Sequence, residues 1–101
     1  MPTRPPDLDP VLLSQVRLGA VSVLATQGPT SFADLKALLK VTQGNLGAHL
    51  ARLEEAGYVA VEKTFVERVP RTTVRLTDAG RAAFARHVEE LTRVLRASDR
   101  G

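Results

Sequence analysis

The chain has no cysteine in its 101 residues, which excludes disulfides and thiolate metal sites. It also lacks a long apolar run. The longest, "VLLSQVRLGAVSVLA" (residues 11–25), is interrupted by Gln15 and Arg17, and it falls short of the roughly 20 residues that span a bilayer. The N-terminus, "MPTRPPDLDP", is polar and proline-rich, without the apolar centre of a signal peptide. Also missing are a glycine-rich phosphate loop after a strand, a Ser-His-Asp arrangement and any cluster with metal-ligand spacing; His49 and His87 stand apart. The expectation is a cytoplasmic protein with no membrane role, no cofactor and no enzymatic activity.

What is present is a globular composition, 44% hydrophobic and 25% charged, at a length that suits one small core. The net charge of +3 is unevenly placed. Residues 1–57 balance five basic groups against five acidic ones, so the excess lies in 58–101, nine against six. Within 63–75 the ratio is four to one: Lys63, Arg68, Arg71 and Arg75 against Glu67. A basic patch on one short element points to a phosphate-bearing partner.

Punctuation residues divide the chain. Residues 1–8 read as a flexible arm, followed by one domain over 9–101. Asp9-Pro10 is a cap with proline at the first helical position, and Leu12, Leu13, Val16, Ala20, Val23 and Leu24 recur at helical spacing. A first helix is therefore expected over about 10–26, stopped by Gly28-Pro29. Ser31 and Asp34 open a second helix over 32–39, and Thr42 caps a third that ends at Gly57. Two short helices joined by a tight turn form a helix-turn-helix candidate. "YVAVEKTFV" alternates with Val59, Val61 and Phe65 on one side; "ERVP" breaks the run, and "RTTVRL" alternates again with Val74 and Leu76 inward. Thr77 caps a last helix over about 78–97, striped by Phe84, Val88, Leu91 and Leu95.

The ordered set "LDPVLLSQVRLGAVSVL" (8–24), "TQGNLGAHLARLEEAGYVAVEK" (42–63), "RVPRTTVRLT" (68–77) and "LTDAGRAAF" (76–84) resembles the small winged helix-turn-helix regulators of the MarR, ArsR and PadR type. The likeness covers nearly the whole chain. It implies a mainly α fold with a small β-hairpin wing and a C-terminal dimerisation helix. It also implies a homodimeric DNA-binding transcriptional regulator, acting as a repressor on double-stranded operator DNA. By the same resemblance the third helix enters the major groove, with Thr42, Gln43, Gly44 and Asn45 at its leading edge and Gly47, Ala48 and Arg52 on its exposed face. His49 matches a histidine often found before the core leucine of such helices, and Arg68 and Arg71 match basic wing residues. Lys63 joins them as a DNA contact.

The residues support that assignment independently. Leu46, Leu50 and Leu53 share one helical face, leaving Gly44, Ala48, Ala51 and Arg52 opposite. Gln43 and Asn45 can pair with adenine in the major groove, and Arg52 is placed to meet a phosphate. The two glycines permit two readings: merely tolerated in a helix held by leucines, or required for close approach to DNA. Leu12, Leu13, Val16, Phe84, Val88, Leu91 and Leu95 are the expected dimer interface, with packing inside one chain as the plain alternative for the terminal stripe. A small-molecule effector would lodge between the first and last helices. The competing function is a protein-protein interaction module that has lost DNA binding, and the basic wing counts against it.

Overall fold

The computed structural model describes residues 4–99. Its elements in chain order are a 3-10 turn Pro10–Leu12, helix α1 (Gln15–Gln27), strand β1 (Thr30–Ser31), α2 (Phe32–Leu39), α3 (Gln43–Glu55), β2 (Val59–Val66), β3 (Val69–Leu76) and α4 (Asp78–Asp99). The expected helix-helix-helix-hairpin-helix order is present.

The expected first helix over 10–26 is in fact two pieces. Asp9 accepts from the Val11 amide and caps only the 3-10 turn, while Ser14, extended at φ −107°, accepts from the Arg17 amide and starts α1. The Arg17 Nε donates to the Val11 carbonyl at 2.7 Å. A continuous helix would use that same carbonyl for the Gln15 amide. A serine hydroxyl and a guanidinium thus divert the backbone groups that would bridge the break.

The later caps fall where expected. Ser31 accepts from Asp34 N, and Thr42 from Asn45 N. The α2–α3 turn is three residues, with Lys40 in the left-handed region at φ 56°. Gly57, at φ 81°, closes α3: its amide reaches the Glu54 carbonyl and the Tyr58 amide reaches that of Leu53, both at 2.9 Å. These two bonds make a Schellman motif, which favours glycine at the position where φ is positive.

Strand β1 was not expected. It pairs antiparallel with β3 (Thr30↔Val74, Ser31↔Thr73), giving a three-stranded sheet in the order β1-β3-β2. The hairpin turn is also shorter than the expected break at "ERVP": only Glu67 and Arg68 lie outside the strands. Both have positive φ, 52° and 66°, the geometry of a type I′ turn. In such a turn Val66 and Val69 form the closing hydrogen-bonded pair. The next pair, Phe65↔Pro70, is then non-hydrogen-bonded, so Pro70 removes no ladder bond.

The core gathers Leu12, Ala20, Val21, Leu24, Leu35, Leu46, Leu50, Leu53, Val59, Val74 and Ala83 from every layer. Leu12, expected at a dimer interface, is only 1% exposed and belongs to this core. The break at Ser14 turns it inward and leaves Leu13 outward. Gly80 seats α4 on the end of α3: a β-carbon there would lie 2.1 Å from the Tyr58 carbonyl oxygen. That carbonyl accepts from the Thr77 amide, and the Thr77 hydroxyl donates to the Gly57 carbonyl.

Candidate nucleic-acid interface

The leading end of α3 is an array of exposed polar groups above an apolar footing. Leu46, Leu50 and Leu53 anchor it, while Thr42, Gln43, Gly44, Asn45, Ala48 and Arg52 are exposed. Thr42 satisfies the Asn45 amide at 3.1 Å. The first-turn amides of Gln43 and Gly44 have no intrahelical acceptor, and with the helix dipole they favour an anion at this end.

The remaining α3 candidates are placed differently from their expected positions. Gly47 is half-buried on the flank facing the wing, in a cleft of about 290 Å³ that it lines with Gln43, Ala51, Glu54, Val61 and Thr72. His49 is half-buried too, its Nδ1 3.0 Å from an Arg17 guanidinium nitrogen. Arg17 thereby ties the 3-10 turn, α1 and α3 together, a role that a lone cation in an apolar helix does not announce. At Gly44 and Gly47 an added β-carbon would meet nothing within 4 Å, so no contact inside the chain demands glycine at either.

The wing projects from the same cleft. Val61 is its last residue packed on the core, and Lys63, Arg68 and Arg71 beyond it are exposed. Among the described residues none of these three forms an ion pair, nor does Arg52. Arg75 is different: it bonds Glu62 at 3.0 Å on an exposed surface. Glu62 lies just outside the window that reads four to one, so the wing is less positive than that count implies. Its tip is also unexpectedly apolar. Phe65 lies on the same face as Val59 and Val61, but past the end of the core, 74% exposed.

Residues 4–8 of the expected flexible arm, and Asp9 after them, lie along α4. Arg4 and Arg93 pair with Glu90 at 3.1 and 2.9 Å, the Asp7 amide bonds Glu90, and the Asp9 amide bonds buried His87. The Arg93 hydrogen bond, then that of Asp7, hold the Glu90 carboxyl below the usual range. Tyr58 donates to Asp9 at 2.5 Å, and that bond with burial raises the phenol above its ordinary value. Residues 1–3 of the arm lie outside the described residues.

Of the remaining residues expected to pair two chains, Val16 and Phe84 are half-buried, whereas Leu13, Val88, Leu91 and Leu95 are exposed. Phe84 and Val88 line an open groove of about 1150 Å³ between the end of α1 and α4, which Arg81, Glu89, Arg93 and Arg96 also line. No helix among the described residues is long and apolar enough to cross a membrane. No group of metal-ligating side chains occurs among them either.

Known proteins share this fold. A transcriptional regulator homologue from Pyrococcus horikoshii OT3 superposes with a TM-score of 0.83 at 34% identity, over 88% of each chain. An uncharacterised protein of Methanocaldococcus jannaschii is 35% identical over 78 residues, 77% of this chain and 85% of that one. A MarR-like transcriptional regulator from Thermotoga maritima shares the fold at TM-score 0.65 and 24% identity, over 85% of this chain and 60% of its own. The winged helix DNA-binding domain model matches residues 16–95, which take in α3, the wing and most of α4. The chain belongs to the winged helix DNA-binding domain family, with the fold of MarR-like transcriptional regulators.

Proposed function

We propose that this protein represses transcription as a homodimer bound to a pseudo-palindromic operator, with α3 in the major groove and the wing at the neighbouring minor groove. The observation that carries the reading is the shared cleft: one flank of α3, from Gln43 to Glu54, and the wing, through Val61 and Thr72, line it together. A duplex lying along the outer face of α3 and against the wing would meet the α3 N-terminus, Arg52 on the far side of the helix from the cleft, and the three wing cations that lack an ion pair among the described residues. Gln43 and Asn45 read base edges; Lys63, Arg68, Arg71 and Arg52 neutralise phosphates. His49, occupied by Arg17, positions the helix from behind. Pairing through Leu13, Val16, Phe84, Val88, Leu91 and Leu95 would set two α3 helices against half-sites one DNA turn apart. The α1–α4 groove, lined by apolar side chains with Arg81, Arg93, Arg96 and Glu89 among them, suits a small effector with an apolar body and a polar end.

The direct test compares variants on a preferred duplex and on shuffled sequence. Gln43→Ala and Asn45→Ala should each cost about 1 to 3 kcal/mol on the preferred duplex and flatten the preference at one position. Arg71→Ala should weaken binding alike on both. If all three variants bind as the parent does, the duplex lies elsewhere on the molecule. A dimer with no affinity for DNA at low salt would instead favour the protein-interaction module.

A further inference from the structure

We propose that the tip of the wing is an apolar wedge that enters the minor groove and bends the DNA, with Phe65 partly unstacking one base step. The inference rests on the reading that α3 and the wing engage one duplex, and it assigns the wing a task beyond phosphate contact. Phe65, Val66 and Val69 are 74%, 45% and 62% exposed, and they flank a single two-residue turn. Cross-strand pairing puts Phe65 beside Pro70 on one face and Val66 beside Val69 on the other, so the blade is apolar on both sides. Among the described residues the core does not include these side chains.

The surroundings identify the occupant. Lys63 stands two residues behind Phe65 on its face, Arg71 pairs with Thr64 on the other, and Arg68 is in the turn. An apolar edge rimmed by three cations and one carboxylate, Glu67 in the turn, still carries a net positive charge and complements a groove with phosphates on both walls and stacked bases at its floor. A hydrophobic protein partner gives no reason for that rim.

The reach fits as well. Five strand steps lead from Val61, the last β2 residue to touch the core, to Val66, about 17 Å at the usual strand rise. Half a DNA turn, the step from a major groove to its neighbouring minor groove, is also roughly 17 Å. A ribbon whose strands lie about 4.8 Å apart, before side chains are counted, cannot enter a minor groove about 6 Å wide without opening it. Phenylalanine and proline are among the residues that wedge such openings. The turn supports a functional tip: Glu67 and Arg68 both hold left-handed backbone that asparagine-glycine would adopt more easily.

The test is energy transfer between the two ends of a labelled duplex carrying the protein's own upstream region. The parent protein, Phe65→Ser and Arg68→Ala are compared, and thermal melts establish that each is folded. The parent should bring the ends closer and bind best where a TA or CA step lies under the wing, the steps that kink most readily. Phe65→Ser should leave the duplex straight and bind it roughly tenfold more weakly, with the salt dependence kept. Arg68→Ala should retain the bend and lower the salt slope by about one. A parent that binds without bending, or a Phe65→Ser that bends equally, overturns the wedge while DNA binding stands. A parent that binds no duplex removes the wedge and the reading beneath it. Self-association lost in Phe65→Ser, with bending unchanged, assigns the tip to contact between copies and also overturns the wedge.

Discussion

Gly44 and Gly47 sit in the first two turns of α3 with open space where a β-carbon would go, and each weakens the helix by about 1 kcal/mol relative to alanine. Gly44→Ala and Gly47→Ala should therefore raise unfolding stability by about that much each, read from denaturant melts. If the helix backbone approaches DNA closely, the same changes should weaken binding. A stability gain with unchanged affinity would mean that the glycines are only tolerated. Gly80 behaves oppositely. Its missing β-carbon makes room for the Tyr58 carbonyl, and Gly80→Ala should destabilise by about 3 kcal/mol, since backbone cannot move aside as a flexible side chain can. A sequence displays a glycine but not the atom it faces, so these two kinds look alike until the chain is folded. Arg17 was hidden for the same reason: its partners Val11 and His49 are six and thirty-two residues away.

At the scale of elements, legibility followed the distance over which each signal acts. Ser31, Thr42 and Thr77 cap helices through bonds to amides three residues on, and the leucine spacing of α3 names its buried face, so these elements could be read locally. Strand β1 could not: two residues carry no alternation, and it exists because β3 has a free edge at Thr73 and Val74. The split before α1 was masked by an apolar pattern that runs through it. The N-terminal segment shows the same dependence on remote partners, since Glu90 holds it through Arg4 and the Asp7 amide.

Glu90's lowered pKa makes that attachment sensitive to acid. A carboxylate depressed in the folded state stabilises above its unfolded value, about 4.3, and loses that contribution as pH falls through the folded value. The Asp7 amide resonance should shift as pH falls through the lowered Glu90 value, and Glu90→Gln should remove the part of that shift that Glu90 contributes. An Asp7 signal that follows the same curve in both proteins would show that Glu90 does not hold the segment.

The whole molecule measures 61 × 25 × 22 Å, with a radius of gyration of 15.7 Å. A compact chain of 100 residues has about 13 Å. The excess reflects two projections, the wing and α4, the latter about 33 Å long. Val88, Leu91 and Leu95 are 43%, 38% and 65% exposed along α4, at the alternating four- and three-residue spacing of a helix-pairing seam. Leu91→Asp with Leu95→Asp should convert a dimer to a folded monomer in sedimentation. A parent protein that sediments as a monomer at micromolar concentration would remove the basis for half-site spacing. The stripe was visible in the sequence; that Leu12 faces the core and Leu13 does not was not, because the turn at Ser14 decides it.

The measurement to make first is an anisotropy titration of the parent protein against its own upstream duplex at two salt concentrations. The three wing cations and Arg52, which form no ion pair among the described residues, should meet phosphates. The logarithm of the affinity should then fall with that of salt by a slope of roughly −3 or steeper per protomer. Binding that ignores salt, or is absent even when salt is low, would contradict an α3 and wing built to hold DNA.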